Sequence, residues 1–401
     1  MAVASSSALQ VRFLEETEEG VLPTGNPQLY RVTQCNISQK VEGKSSEELR
    51  ADRQISDSSL VSGSVDGNTD WELSFKTHDT FIEALLASTW TVGGTNGLKT
   101  VTDAVFDSVT HIMSSATDLI PLMEKGQWFR ISGHATTALN GVYRCSTSVA
   151  PTIGSVTVDV AVKDVTTATS ASCVISTSRI KNGLADLRTF SMERCFSDVS
   201  QYFMGTGMAV KSMNIGLNTG DTIKGSFSFL GRQVERGTST LFPSGIASEV
   251  AATTTPLINT VNNTIVLLDG TSMGDSCAES FSLAIDTGMK ERRCLGSGIG
   301  LAGVTQGTFD IKGTLKIYFG ASTSAAVYDK MIADQPISFS IYCEDAVGDG
   351  YAFTIERGKL SSAEVVAGSI NTDVVMDLEV SATSTGTNGA MIIIDRLGSV
   401  A

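Results

Sequence analysis

The chain has 401 residues and a formal net charge of −14; 41% of its residues are hydrophobic, 18% are charged, and it contains 38 glycines but only 7 prolines. This length predicts two or three domains, and the many Ser, Thr, Val and Gly residues favour strands and tight turns over helices. The acidic balance argues against a protein that reads DNA sequence, because such proteins place Lys and Arg against phosphates. Two interpretations of the charge stay open: an ordinary acidic surface, or a wall around DNA that repels it and lets it pass.

Residues 1–28 contain the acidic run EETEEG and the turn-forming run PTGNP, and they predict an extended N-terminal arm that does not pack. The first residues, MAVASSS, lack the basic start and apolar core of a secretory signal, so we expect assembly in a cytoplasm. No run approaches 18 consecutive apolar residues, which predicts no membrane span.

Residues 29–91 begin the first β module. Alternation predicts a strand at residues 29–33 and another at 64–75, with a charged loop over residues 42–53 between them. Apolar residues at helical spacing predict a short helix near residues 79–88. Strands predicted at residues 190–196, 209–217 and 222–230 complete this module over residues 187–236.

Residues 92–186 are predicted to be a small β domain inserted into the first module. The glycine-rich run at residues 92–97 suits an entry point, and Asn182-Gly183 suits an exit. Short alternating runs separated by turns predict a compact barrel or sandwich; they lie at residues 129–133, 141–145, 155–160 and 173–176. We expect this domain to fold separately, on the outside of any assembly.

Residues 237–275 are predicted to connect the modules, with one strand at 264–268. The second module is predicted over residues 276–401, with a helix near 325–332. Its predicted strands are 280–285, 307–319, 337–343, 351–355, 374–380 and 391–394.

Two series of matched residues indicate an internal duplication. At an offset of 244, Gly63, Asp66 and Phe75 match Gly307, Asp310 and Phe319, and a two-residue shift aligns the two helix patterns. At an offset of 143, Gly205, Gly207, Ala209, Leu217, Gly225 and Ser226 match Gly348, Gly350, Ala352, Leu360, Gly368 and Ser369. The sequence therefore predicts a mainly β fold of two tandem sandwich or barrel modules, each with a short helix, plus the inserted domain.

Neither of two catalytic patterns is supported by its surroundings. Residues 270–274 fit the Gly-x-Ser-x-Gly nucleophile elbow, but no histidine occurs after His134 and the next segment alternates like a strand. Residues 298–303 fit Gly-x-Gly-x-x-Gly, but a strand pattern follows where a helix is required. We predict no catalytic residue and no cofactor.

Metal binding is also not expected. The seven cysteines are dispersed without a Cys-x-x-Cys pair, which predicts reduced and mostly buried thiols. With only three histidines, few ligands are available for zinc.

Several runs resemble the major tail tube proteins of long-tailed bacteriophages. They are Glu47 to Gln54 (EELRADRQ), Gly63 to Gly67 (GSVDG), Asp79 to Leu86 (DTFIEALL), Gly126 to Gly133 (GQWFRISG) and Asn140-Gly141. The second module departs from this pattern, because its corresponding loop reads ERRCLG at residues 291–296.

The resemblance implies a structural protein whose β modules join edge to edge around a channel, in rings that stack into a tube and carry the genome to the host. It implies that Glu47, Arg50, Asp52 and Arg53 form contacts between stacked rings.

Members with one module form sixfold rings, so two modules per chain imply a trimer with approximate sixfold symmetry. The implied partners are other copies of the chain, other tail proteins, and double-stranded DNA that passes without specific binding, in a virion tail assembled in the bacterial cytoplasm. The alternatives are a decoration or spike protein of a virion, or a carbohydrate-active β-rich enzyme.

Overall fold

The computed structural model describes residues 4–92, 97–116, 123–243, 249–273, 277–296, 298–321, 323–368, 370, 372–384 and 388–398. The strands up to the first helix are β1 (Leu9–Glu15), β2 (Gln28–Tyr30), β3 (Gln34–Ser45) and β4 (Ser58–Glu72), and helix α1 is Asp79–Leu86. Next come β5 (Thr91–Val92), β6 (Leu98–Asp107), β7 (Ile112–Ser114), β8 (Trp128–Ser132), β9 (Gly141–Arg144), β10 (Ser155–Thr157), β11 (Ala168–Ser176) and β12 (Ser178–Lys181). Then follow β13 (Thr189–Phe196), β14 (Gln201–Asn218), β15 (Lys224–Gly231), β16 (Gln233–Gly237), β17 (Thr264–Leu268), β18 (Thr271–Ser272) and β19 (Ala278–Asp286). The chain ends with β20 (Lys290–Arg292), β21 (Gly303–Thr305), β22 (Asp310–Tyr318), helix α2 (Thr323–Ile332), β23 (Ile337–Glu344), β24 (Gly350–Val366), β25 (Val375–Ala382) and β26 (Ile393–Leu397).

The predicted mainly β fold with two short helices is confirmed. Strands from both halves of the chain form one 18-stranded sheet. The six strands β6 to β11 form a separate sheet in the order β10-β7-β6-β11-β8-β9. One hydrophobic core runs through both modules, with residues such as Trp71, Phe227, Phe281 and Phe353. The six-stranded sheet encloses its own core around Phe106, Phe129 and Tyr143.

The two modules repeat the same pattern of strand pairing. The first pairs its strands in the order β1-β13-β14-β15-β4-β3, and the second in the order β17-β23-β24-β25-β22-β19. Helix α1 follows β4, and α2 follows β22. Bulges also recur at matched places, between Val210 and Ser212 on β14 and between Leu360 and Ser362 on β24. β17, the strand predicted in the connection, therefore corresponds to β1.

The residue matches at offset 143 are wrong. The bulges align Val210 with Leu360, an offset of 150, whereas Gly205 lies within β14 and Gly348 lies in the turn before β24. The pairing of β15 with β4 and of β25 with β22 aligns Gly67 with Gly313, an offset of 246 in place of 244. The offsets of 143 and 150 differ by seven residues, and a shift by an odd number moves every side chain to the other face of the strand. Glycine has no side chain, so glycine matches carry no information about which face is buried.

The interpretation of residues 1–28 as an unpacked arm is also wrong. β1 pairs with β13 along its whole length, and the buried Phe13 contacts the rings of Tyr30, Phe81 and Phe190. Within the acidic run, Glu16 is buried and accepts hydrogen bonds from the hydroxyls of Thr189 and Ser191. The charged run obscured the strand alternation of the residues before it.

Two boundaries in the first module differ from the prediction. The strand predicted at residues 29–33 ends at Tyr30, and β3 begins at Gln34 and continues through the start of the predicted loop, to Ser45. At the end of the predicted insertion, β12 pairs with β26 and β5 in the main sheet. The separate sheet therefore covers residues 98–176, and Gly97 and Thr177 are joined by a 2.9 Å backbone hydrogen bond at its base.

Candidate assembly surfaces

Eight strands form a continuous antiparallel layer across the two modules. Their order is β3-β4-β15-β14-β19-β22-β25-β24, four strands from each module. One face of this layer carries buried apolar residues of the core, and the other carries the alternate, mostly polar residues. We call the second face the polar face. Helices α1 and α2 pack against the opposite, apolar face, through core residues such as Phe81 and Val327.

The polar face has an excess of acidic residues. Its acids include Glu42 on β3, Asp66, Asp70 and Glu72 on β4, Asp286 on β19, Asp310 on β22, Glu364 on β24, and Asp377 and Glu379 on β25. Its lysines include Lys40 on β3, Lys224 on β15, Lys312 and Lys316 on β22, and Lys359 on β24. The acids outnumber the lysines, so this face has a net negative charge, and ion pairs such as Lys40 with Asp66 neutralise part of it locally.

The modules meet along a strand-to-strand joint between β14 and β19. Residues 212–218 pair with residues 280–286 in an unbroken antiparallel register, Ser212 opposite Asp286 and Asn218 opposite Ser280. The inward side chains at the joint are apolar and buried; they are Met213, Ile215, Leu217, Phe281, Leu283 and Ile285. The joint is therefore both a hydrogen-bonded ladder and a part of the core.

The outermost strands of the layer, β3 and β24, each present an open edge. No described strand pairs with β3 on the side away from β4, nor with residues 361–366 of β24 on the side away from β25. Val365 and Val366 on β24 are 43% and 37% exposed. Open edges with exposed apolar residues favour pairing with another chain.

The predicted inter-ring residues lie in the loop between β3 and β4, at the tip of a long hairpin. Ser46 N–H donates to Asp57 O at 2.8 Å and closes this loop, residues 46–57. The structure brings Arg50 and Asp52 together, with Nη2 and Oδ2 2.8 Å apart, and the pKa of Asp52 is lowered by its hydrogen bond from Arg50.

The other two predicted residues do not join that pair. Oε1 of Glu47 lies 3.5 Å from Nζ of Lys44, and both side chains are largely exposed. Arg53 has a left-handed backbone with φ of 57°, and within the described residues its side chain forms no ion pair. Beside these charges Leu49 is fully exposed and Ile55 is 70% exposed, so the loop tip also presents apolar surface that the sequence interpretation overlooked.

The corresponding segment of the second module packs down. Between β19 and β22 the chain forms the β20-β21 hairpin, and Leu301 is buried with Ala209, Leu230 and Val304. Arg293 reaches within 4.0 Å of Glu42 at the base of the first hairpin. Of these two corresponding segments, only the β3-β4 hairpin of the first module is long and exposed.

Buried polar contacts hold the inserted domain and the adjoining strand β12 against the second module. Arg179 on β12 forms two hydrogen bonds with Asp395 on β26, at 2.7 and 2.8 Å, and Asp395 also accepts from the backbone N–H of Trp128. Trp128 stacks on Tyr342 and donates from Nε1 to Ser340 at 3.1 Å. Burial raises the pKa of Asp395, and the Arg179 guanidinium opposes that shift.

The catalytic patterns are placed in surroundings that do not suit them. Gly270 and Thr271 lie at the β17-β18 turn, Gly274 is outside the described residues, and the following β19 is a strand where the elbow requires a helix. Residues 298–303 connect β20 to β21 and precede no helix. The residues that the structure describes include no group of three or more His, Cys, Asp or Glu placed to hold a metal. Among the same residues, no helix is long and apolar enough to cross a membrane.

These features define a mainly β protein with two open edges on one continuous layer. A family model described as phage tail tube protein matches residues 6–384. The chain belongs to this family and is therefore a structural component of a bacteriophage tail. A comparison with curated proteins found no match.

Proposed function

We propose that the chain polymerises into stacked rings that form the channel for genome ejection. One observation carries the proposal: the two modules already lie side by side in one eight-stranded layer, joined through β14 and β19. Each module therefore occupies one place in a ring, and three chains supply six places and 24 strands. A closed circle of strands removes the open edges that a single chain leaves.

The polar face is the lining of the proposed channel. Helices α1 and α2 pack on the core side of the layer, together with β13 and β23, so the bulk of each module must lie outside the circle. Carboxylates facing the lumen repel phosphates and let DNA pass without binding, which is one of the two interpretations that the net charge of −14 leaves open. Other tail proteins would contact the ends of the tube, assembled in the cytoplasm of the host before ejection.

Electron microscopy of the purified protein tests this function. We expect rings and tubes with a central hole, because each open edge is satisfied only by another copy. Discrete oligomers that never stack would favour a decoration or spike protein, and a monomer with glycoside hydrolase activity would overturn the structural role.

A further inference from the structure

We propose that the β20-β21 hairpin braces the β3-β4 hairpin and fixes the direction in which the β3-β4 hairpin leaves the ring. We call β3-β4 the first hairpin and β20-β21 the second hairpin. This inference rests on the proposed function, in which the first hairpin of each chain contacts the next ring. The second hairpin then supports stacking from within its own chain and does not contact the next ring.

The two hairpins have the same length and the same register. At the offset of 246 that aligns the modules, the opposed residues Lys44 and Ser59 of the first hairpin correspond to the opposed residues Lys290 and Thr305 of the second. The same offset relates the pairing of β3 with β4 to the pairing of β19 with β22. The second hairpin is therefore a copy of the first that lies in a different direction.

Two glycines bend the second hairpin where the first continues as paired strands. Gly288 and Gly307 stand at the positions of Glu42 and Val61. Gly288 has φ of 60°, and a Cβ at Gly307 would lie 2.1 Å from the Gly288 carbonyl oxygen. Next to the bend, the buried Thr287 donates from its backbone N–H and its hydroxyl to one carbonyl oxygen of β14, at 3.1 and 2.7 Å. The side chains of the first hairpin do not fit this bend, so the sequence determines which hairpin projects.

Solvent surrounds the outer part of the first hairpin. Its residues 41–61 are exposed, apart from the half-buried Ser46. A two-stranded hairpin by itself is only marginally stable in water. The direction of the first hairpin therefore depends on what it contacts at its base.

The second hairpin contacts the first at this base. Ile299 lies against the buried Gly63 of β4, where an added Cβ would be 3.0 Å from Cγ2 of Ile299. Nη1 of Arg293 lies 4.0 Å from Oε2 of Glu42 on β3. Both strands of the first hairpin are therefore supported from the second module.

The second hairpin is itself firmly anchored. Leu301 is 1% exposed and packs with Leu230 of β15. Arg232 donates from Nε to the carbonyl oxygen of Leu301 at 3.1 Å and from Nη1 to that of Glu19 at 2.7 Å. Oε1 of Glu19 accepts from the backbone N–H of Val304 at 3.1 Å. Contacts with β15, with the turn after it and with the N-terminal segment fix the second hairpin in place, as a brace requires.

A substitution at the contact between the hairpins tests the brace. Ile299 is 42% exposed, so Ile299→Asp leaves the fold intact but places a carboxylate near Glu42. We expect normal rings and at least about tenfold fewer tubes in electron micrographs, because a loosely held hairpin loses conformational freedom when it binds. The matched control is Leu295→Asp on the same hairpin, where the leucine is 106% exposed; it should form tubes as the wild type does.

Spin labels measure the direction of the first hairpin directly. The exposed Cys277 and Cys294 are replaced by serine, and the other cysteines are buried. Labels are then attached at Ala51→Cys in the hairpin tip and at Leu184→Cys in the segment before β13, both exposed, with labelled chains diluted in unlabelled ones. We expect one narrow distribution of distances, and a distribution at least about twofold broader when Ile299→Asp is added. A purely local role of Ile299 would leave the distribution unchanged.

The outcomes separate the brace from the proposed function. Normal tubes from Ile299→Asp, or an unchanged distribution of distances, would overturn the brace while the proposed function stands. An equal loss of tubes from Leu295→Asp would mean that the second hairpin contacts the next ring itself, and this would also overturn the brace. If the wild type forms no rings, the proposed function fails, and the distances between the labels decide the brace.

Discussion

At the residue scale, buried polar groups hold the elements of this protein in register. His78 is fully buried, stacks on Trp71 with ring centroids 4.3 Å apart, and contacts Tyr30 Oη and the Glu72 carbonyl oxygen. Because a carbonyl can only accept, Nε2 of His78 donates to the Glu72 carbonyl oxygen. Burial lowers the pKa of His78 to about 3, so the ring of the folded protein is neutral near pH 7 and Nδ1 accepts from the Tyr30 hydroxyl.

This histidine predicts a pH dependence of stability. Below the ordinary histidine pKa of about 6.5, the unfolded chain takes up a proton at this position and the folded chain does not. The free energy of unfolding should therefore fall as the pH is lowered from about 6.5 towards 3, by about 1.4 kcal/mol per pH unit. In denaturant titrations, His78→Gln should lose about 1–3 kcal/mol at pH 7 and show a shallower loss between pH 6 and 4. An unchanged slope would mean that His78 is protonated in the folded protein.

The buried carboxylate of Asp79 joins the two modules. Asp79, in the first turn of α1, accepts a hydrogen bond from Tyr351 Oη at 2.6 Å and pairs with Arg396. Burial raises the pKa of Asp79, and Arg396 opposes this shift. Both partners belong to the second module, so helix α1 is aligned by residues 272 and 317 positions away in the sequence.

At the scale of elements, the β3-β4 hairpin is the part that projects. We predict that Arg50→Glu with Arg53→Glu gives a folded protein that forms rings but does not stack them. Desolvated charge pairs at an interface contribute a few kcal/mol each, and both reversals would face carboxylates of the next ring. Microscopy of the assembled protein measures the outcome.

The control for this variant carries the same change of charge elsewhere. Lys99→Glu with Lys125→Glu places both reversals in the inserted domain, and tubes should form as in the wild type. Tubes of normal length from the Arg50 and Arg53 variant would show that the loop is only a solvated hairpin tip.

The inserted domain gives a second prediction at this scale. Its own core and its closely spaced ends predict that residues 98–176 can be replaced by a short Gly/Ser link, giving thinner tubes. A longer deletion, residues 95–182, removes Arg179 and leaves Asp395 buried without its ion pair, at a cost of about 3–5 kcal/mol. We expect only the shorter deletion to give soluble protein. Failure of both would mean that the contacts of Trp128 are needed for the second module to fold.

At the scale of the whole molecule, the arrangement of modules predicts the symmetry of the ring. If three chains of 42.2 kDa fill six places, as proposed, native mass spectrometry should detect multiples of three chains. End-on images should show threefold symmetry, because only one module of each chain carries the long hairpin and the inserted domain. Rings of six complete chains, with twelve modules, would contradict this arrangement.

The sequence by itself determined the kind of fold, the two helices, most strands and the family. These follow from local alternation, turn residues and the runs EELRADRQ and GQWFRISG, which are readable without knowing any long-range contact. The strand β1 was missed because an acidic run adjoins it, and the alignment of the modules was wrong because the matched glycines carry no information about which face of a strand is buried.

Only the tertiary structure decided which edges stay open and which strands meet. The pairing of β14 with β19 joins residues about seventy positions apart, and the same alternating pattern occurs on many strands of this chain. Alternation specifies which face of a strand is buried, but backbone N–H and C=O groups are the same at every residue and do not specify the neighbour. The neighbour is chosen by packing of the whole core, and among the described strands none pairs with the open edge of β3 or with that of residues 361–366 of β24.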